Sequence, residues 1–312
     1  MCDLLTIDGG ITNTRICLVR RGEITDMLKL RVGVRTNLDG SDYLKREVKQ
    51  GIASILERNG LSFGDVGAIV ASGMITSENG LLEVPHIPAP AGARELADAM
   101  KQAFLPEICP IPFLFVPGIR TAGARPLDTD VIRGEETECI GLMELAGFHS
   151  GLLLLPGSHS KAISLREGWI EGFSTFLSGE MFSALRENTI LKASVSLEGT
   201  EPVEEYLRLG YEYCEREGVN KSLFKVRVLA RFLHADADRV YSFFSGVLLH
   251  DEIRSLLRRS CGSIYIGGQS SLKRMMKMLL EAYSDRPLTV IGDEMCEKAP
   301  SAGAAVIFRE RS

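Results

Sequence analysis

Residues 4–18 and 152–165 carry one pattern twice: a short apolar strand, a glycine turn, then a second strand. Leu4 to Ile7 ends in Asp8-Gly9-Gly10, and Leu152 to Leu155 ends in Pro156-Gly157. When Gly157 is set on Gly10, Ile163 falls on Ile16 and Leu165 on Leu18, the second hairpin being one residue shorter. A repeat of about half a chain fixes architecture before any single element does. The segments after the two hairpins also match. Met27 to Val32 and Trp169 to Phe173 read as third strands, and helices and further strands come after. The expected fold is α/β, with two ribonuclease-H-like domains of duplicated topology around a central cleft. The domains are expected at 1–130 and 131–312, with the last helix returning to the first. Ligands favour clefts between domains.

Helical spacing of Leu44, Val48, Ile52, Ile55 and Leu56 predicts a helix that Gly60 ends. Residues 92–103 read as a second helix. A third opens at Glu135 and runs to about Leu145, with Cys139, Leu142, Met143 and Ala146 as its buried stripe. Residues 177–257 read as helical. A strand at 263–266 comes next, then a helix striped by Leu272, Met275, Met276, Leu279 and Leu280, then a strand at 288–291. Lys273, Arg274 and Lys277 are expected on that helix's solvated outer face.

The chain of 312 residues suits two domains. Its net charge of -5 comes with no basic stripe, which argues against nucleic acid and anionic membranes as partners. The N-terminus lacks a basic n-region, and no apolar run approaches the roughly 20 residues of a membrane span. Seven scattered cysteines without a CxxC point to reduced thiols and a cytoplasmic location.

Three glycine turns carry the candidate chemistry. In the first, Asp8-Gly9-Gly10-Ile11-Thr12-Asn13-Thr14-Arg15, glycine N–H groups can form an anion nest. Thr12 and Asn13 add side-chain donors there. Asp8 could hold Mg2+ through water. In the second, Gly157, Ser158, His159, Ser160 and Lys161 offer a matching loop with a cation. In the third, Ile266-Gly267-Gly268-Gln269 joins a strand to a helix and suits a nucleotide's adenosine and α-phosphate. Each turn alone also reads as a packing turn, and His159 alone as a structural histidine. Arg133-Gly134-Glu135-Glu136 opens a helix ahead of the second loop. A carboxylate there could accept a hydroxyl proton.

In this order the turns resemble the phosphate 1, phosphate 2 and adenosine motifs of the sugar kinase, actin and Hsp70 superfamily. Over nearly its full length the chain more closely resembles the 2-dehydro-3-deoxygalactonokinase family. Its Arg133-Gly134-Glu135-Glu136, Pro156 to Lys161, Ser178-Gly179-Glu180-Met181-Phe182 with 188–191, Ser72 to Ser77 and Glu83-Val84-Pro85-His86 carry the match. Three positions depart from the family pattern. Ile11 stands where Thr or Ser is usual, Ser158 where Thr is expected, and Ala162 where a large aromatic is expected.

The resemblance implies transfer of the γ-phosphoryl of ATP, with Mg2+, to the 6-hydroxyl of 2-dehydro-3-deoxy-D-galactonate. It implies Asp8 in the metal shell. Gly9, Gly10, Thr12, Asn13, Gly157, Ser158, His159 and Ser160 would lie around the phosphates, and Gly267, Gly268 and Gln269 around the adenosine. Lys161 or Arg15 would offset charge on the transferred group. Glu136, which precedes Thr137 as the hexokinase acid precedes a Thr, is the expected base, with Glu135 next. Arg133, then Arg125, would meet the substrate carboxylate. Glu180, Ser72, Met74 and Thr76 would complete the pocket. A symmetric dimer is the default assembly. Two other readings stay open: a kinase of another sugar acid or sugar, and a ligand-sensing relative without turnover.

Overall fold

The computed structural model describes residues 3–37, 42–123, 125–196, 201–259, 262–268 and 271–311. By its contacts the chain divides into two compact units. One is Met1–Ser150, Ser164–Phe173 and Gly292–Ser312; the other is Gly151–Ile163 and Ser174–Ile291.

The first unit opens with β1 (Asp3–Gly9), β2 (Thr14–Arg20) and β3 (Glu23–Leu30), paired as successive antiparallel hairpins. α1 (Tyr43–Arg58) buries Leu44, Val48, Ile52, Ile55 and Leu56, the stripe that the spacing predicts. It packs them against Leu5, Ile7, Ile16 and Leu18. Each fully buried side chain of this kind stabilises the fold by about 1.5–3 kcal/mol. Gly60, at φ +64°, ends the helix as expected, and the Leu61 N–H closes back on the Leu56 carbonyl at 2.9 Å.

β4 (Val66–Gly73) joins β1 in parallel. β5 (Ile87–Pro88), α2 (Ala93–Asp98), β6 (Lys101–Ala103), β7 (Phe113–Phe115), β8 (Ile119–Arg120), β9 (Val131–Ile132) and α3 (Glu135–Ala146) follow. The main sheet runs β3-β2-β1-β4-β7-β6, with a small β5-β8-β9 sheet beside it. The helix expected over 92–103 stops at Asp98, because Lys101 to Ala103 pair antiparallel with β7. Tertiary pairing overrides a weak local preference here.

The second unit holds β10 (Gly151–Leu155), the start of β11 (Ser160–Arg166) and the end of β12 (Trp169–Phe176), whose intervening residues 164–173 fall in the first unit, and α4 (Ser178–Asn188). It continues with α5 (Glu204–Glu217), α6 (Val219–Arg231), α7 (Ala237–Leu257), β13 (Ile264–Ile266), α8 (Leu272–Tyr283) and β14 (Leu288–Val290). Its sheet runs β12-β11-β10-β13-β14, with β13 parallel to both β10 and β14. The two sheets therefore share one ribonuclease-H-like order: three antiparallel strands, then two parallel ones. The chain closes with α9 (Asp293–Glu310), which belongs to the first unit.

The repeat is real, but its register is one residue off the expected one. β2, its turn and β3 have 7, 2 and 8 residues, as do β11, its turn and β12. Arg21-Gly22 and Glu167-Gly168 occupy the two turns with matching positive φ. Arg15 therefore matches Lys161, and Ile16 matches Ala162 rather than Ile163. Packing agrees: Ile16 shares a core with Leu5 and Ile7, and Ala162 with Leu152 and Leu154. A one-residue slip sends every side chain of a strand to the other face. Setting Gly157 on Gly10 brings Ile163 onto Ile16, yet Ile163 is buried on the opposite face of its strand.

α3 falls in the first unit, so the division lies after Ser150 rather than at 130. α3 and α9 cross closely. A Cβ on Gly303 would stand 1.9 Å from the Thr137 carbonyl oxygen, and one on Gly141 would stand 1.8 Å from that of Ala299. Contact on this scale buries α3 nearly all round, though Ala146, expected in its stripe, is exposed. Cys17, Cys109, Cys139, Cys214 and Cys296 are buried thiols outside any disulfide. Among the described residues no helix is long and apolar enough to cross a membrane.

Candidate active site

In the first unit three backbone segments meet where β1 ends. Gly73, the last residue of β4, has φ +81°, and Gly134, just before α3, has φ +107°. A Cβ on Gly73 would lie 2.6 Å from the Gly9 carbonyl oxygen, and one on Gly134 would lie 3.1 Å from Gly73 Cα. Bare backbone at these positions draws Asp8, Ser72 and the start of α3 into one corner. The β1–β4 register sets Ser72 opposite Asp8, and Ser72 is buried.

Asp8 pairs with Arg15 at 3.2 Å. Burial raises the Asp8 pKa, Arg15 opposes that rise, and the Glu135 charge adds to it. Glu138 stands in the same field: burial, then Asp8 and Glu135, push it up to about 8. Sequence reasoning passed Glu138 over, although it lies three residues after Glu135 and so on the same helix face. Glu136 has no exposed surface. Both of its carboxyl oxygens accept the Gly134 N–H, at 2.9 and 2.8 Å. Burial, then Glu135, push its pKa up to about 8. Glu135 is half-buried and accepts the Arg133 N–H at 2.9 Å. The corner thus gathers carboxylates that resist ionising together, although among the described residues no three acidic, histidine or cysteine side chains stand close enough to hold a metal ion.

The loop between β1 and β2 is partly consumed by its own hairpin. The Gly10 N–H donates to the Asn13 carbonyl at 2.8 Å, so it is turned inward rather than toward a phosphate. The Gly10 and Ile11 carbonyls accept from the N–H groups of Val34 and Arg35. Thr12 and Asn13 are exposed, with the Asn13 amide donating to the Thr12 hydroxyl at 3.0 Å. Ile11 is also exposed, in the place where a hydroxyl was expected.

Arg133 is tied to the protein rather than open to an anion. Its guanidinium donates to the Thr76 carbonyl at 2.7 Å, the Thr76 hydroxyl at 2.6 Å and the Val84 carbonyl at 2.9 Å, and meets His86 Nδ1 at 3.2 Å. Four of its five donors are thereby used. Desolvation and the Arg133 charge keep the His86 pKa low, which suits an accepting Nδ1. Thr76 is fully buried and Met74 half-buried, so the expected pocket residues brace the 74–86 segment. Arg125 sits on an exposed turn with 82% of its side chain open, paired with Asp128 at 2.9 Å.

In the second unit Pro156 to His159 form the loop between β10 and β11. A Cβ on Gly157 would meet nothing within 4 Å. Ser158 and His159 are exposed, and His159 Nε2 meets Glu180 Oε2 at 2.7 Å. The Glu180 N–H donates to the Ser158 carbonyl at 3.0 Å, which seats the α4 N-terminus against the loop. Lys161 is buried, 5% exposed. The Gly267 N–H donates to the Leu154 carbonyl at 2.8 Å. Gly268 turns with φ +73°, and Gln269 lies outside the described residues. Lys273 is not on a solvated face. It is buried, and its ammonium donates to the Gly268 carbonyl at 3.2 Å and the Ile291 carbonyl at 2.5 Å, holding the third glycine turn in shape.

The candidate residues thus form two groups. Asp8, Arg15, Ser72, Glu135, Glu136 and Arg133 gather in the first unit; 157–161 with Glu180, and Gly267-Gly268, belong to the second.

A chain of this make-up has known relatives. A proposed 2-dehydro-3-deoxygalactonokinase of Rhizobium meliloti is 29% identical over 246 residues, covering 77% of this chain and 78% of the relative. The 2-dehydro-3-deoxygalactonokinase of Escherichia coli is 26% identical over 257 residues, covering 81% and 80%. A crystal structure from Sinorhizobium meliloti, proposed to be the same kinase, superposes with a TM-score of 0.79 over 98% of both chains at 23% identity, which establishes the shared fold. The sequence model described as 2-keto-3-deoxy-galactonokinase matches residues 8–300, and the chain belongs to that family.

Proposed function

We propose that this chain is a carbohydrate kinase that phosphorylates the 6-hydroxyl of 2-dehydro-3-deoxy-D-galactonate with ATP, giving the 6-phosphate and ADP in galactonate catabolism. The family match over residues 8–300 carries this reading. The carboxylates at the start of α3 supply its chemistry.

Phosphoryl transfer asks the protein mainly for positioning and charge neutralisation. Glu136 takes the proton of the 6-hydroxyl as that oxygen attacks the γ-phosphorus and ADP leaves. A carboxyl whose pKa has been pushed up to about 8 is a stronger base than an ordinary glutamate. Its surface is covered in this structure, so it meets a substrate hydroxyl once the Gly134 contact opens, and Glu135, half-buried beside it, is the more accessible carboxylate. Thr12, Asn13 and the Gly157 to Ser160 loop receive the phosphates. Lys161 or Arg15, matched in the repeat, offsets charge building on the transferred group. Asp8 would hold hydrated Mg2+ through water, which when bound supplies neutralisation of the phosphate oxygens.

With Arg133 engaged by Thr76, Val84 and His86, Arg125, exposed and paired with Asp128 within its own turn, is the guanidinium that can exchange its partner for the acceptor's carboxylate. Arg125→Ala should raise KM for the sugar acid about 10- to 100-fold, the worth of a charge-assisted pair, and leave KM for ATP in place. Steady-state kinetics with each substrate varied in turn checks this. An unchanged acceptor KM removes Arg125 from the site.

The reading itself is tested by ADP release from Mg-ATP with a panel of acids: 2-dehydro-3-deoxy-D-galactonate, its gluconate-derived epimer and D-gluconate. Release with the galactonate compound above the others supports it. Release with another acid keeps the kinase and moves the acceptor. ATP binding without release from any acid supports a ligand-sensing relative instead.

A further inference from the structure

Behind the loop between β10 and β11 lies a carboxyl that the proposed reaction does not use. Glu252, on α7, is 1% exposed. Its Oε2 accepts the Ser178 hydroxyl, from the first residue of α4, at 2.5 Å. The Ser160 hydroxyl, at the first residue of β11, faces the same carboxyl and lowers its pKa, against a burial effect that pushes it up to about 7. Oε1 is buried with no hydrogen-bond partner among the described residues. An unsatisfied buried oxygen of this kind costs about 1–3 kcal/mol, and an apolar residue would avoid it. Ser160 meanwhile is loosely held: its Oγ lies 3.4 Å from both the N–H and the carbonyl of Gly157.

We infer that Glu252 is a positioning residue for the phosphate loop. Its carboxyl anchors Ser178 at the start of α4, and its Oε1 accepts the Ser160 hydroxyl once the loop turns toward a phosphate and the Gly157 carbonyl releases that hydroxyl. The vacant oxygen is the place to which the displaced hydroxyl goes. Without it, turning Gly157 toward a phosphate would strand the Ser160 hydroxyl with no acceptor in a buried setting, and the loop would resist the nucleotide. Glu252 touches neither substrate; it sets how readily the loop reshapes. This rests on the reading that Gly157 to Ser160 receive the phosphates.

Steady-state kinetics of four variants tests both layers. Gly157→Val puts a side chain into space that is open in the protein and would be filled by phosphate, so KM for ATP should rise. If it does not, the loop reading fails. Given that rise, Glu252→Ala should raise KM for ATP about tenfold or more, with KM for the sugar acid moving less than about twofold. Glu252→Gln keeps an acceptor oxygen for one of the two hydroxyls and should give a KM for ATP between those of the parent and of Glu252→Ala. A merely structural role would lower the active fraction and kcat without separating the two KM values, and that result overturns the inference. Should Glu252→Ala fail to fold, Ser178→Ala decides: it releases the anchor with little loss of volume and must raise KM for ATP selectively, or the inference is wrong.

Discussion

Glu136→Gln is expected to lower kcat about 10²- to 10⁴-fold while KM for ATP stays within about threefold, because general-base catalysis is lost and nucleotide contacts are kept. The substitution preserves shape, and the amide oxygen can still accept the Gly134 N–H. The same group predicts a pH profile. Burial and the Glu135 charge push the Glu136 pKa up to about 8, so at neutral pH the carboxyl is mostly protonated and cannot take a proton. Turnover of the parent enzyme should therefore rise with pH and level off above about 8, and Glu136→Gln should lack that limb. Glu135→Gln should cost less and should move the limb to lower pH, since removing a like charge lets Glu136 ionise more easily. If Glu135→Gln is the more damaging variant and Glu136→Gln keeps the limb, the base is Glu135.

Gly73→Ala is expected to cost about 2–5 kcal/mol and to abolish turnover, from left-handed backbone strain together with overpacking. Gly73 has φ +81°, and its new Cβ would stand 2.6 Å from the Gly9 carbonyl oxygen and 3.1 Å from Asp8 Oδ1. No flexible side chain can yield there to relieve the first contact. The segment that moves carries Ser72 on one side and the Thr76 anchor of Arg133 on the other, so strain passes into the corner where Asp8 and α3 meet. Thermal melting and turnover should fall together. An unchanged melting temperature would show that the three-glycine junction is looser than the structure has it.

The sequence disclosed the fold through its repeat, because strand length, turn residues and hydrophobic runs are local properties. Register was harder. Ile163 and Leu165 are as apolar as Ile16 and Leu18, and a strand buried on both faces offers no alternation to choose between them. Only the paired turns, Arg21-Gly22 and Glu167-Gly168, separate the two alignments. Residues 101–103 give no local sign of pairing with Phe113 to Phe115, so the short β6 was read as helix. The glycine turns and the carboxylates on α3 were legible as motifs. Whether a candidate side chain is open or engaged was not. Arg133 and Arg125 are equally plausible guanidiniums by type, and only the folded 74–86 segment shows that Thr76, Val84 and His86 hold the first. Lys273 likewise reads as solvated by helical spacing, until Gly268 and Ile291 turn their carbonyls toward it. Glu252 carries no motif at all. It lies 74 positions from the serine that it binds, a distance over which sequence pattern is silent.

The most direct test of the central claim is phosphorus NMR of the product formed from Mg-ATP and 2-dehydro-3-deoxy-D-galactonate. A new phosphomonoester whose phosphorus couples to the two methylene protons of the terminal carbon should appear and grow in step with ADP. Free inorganic phosphate in place of that ester, or an ester coupled to a single ring or chain proton, would contradict the claim.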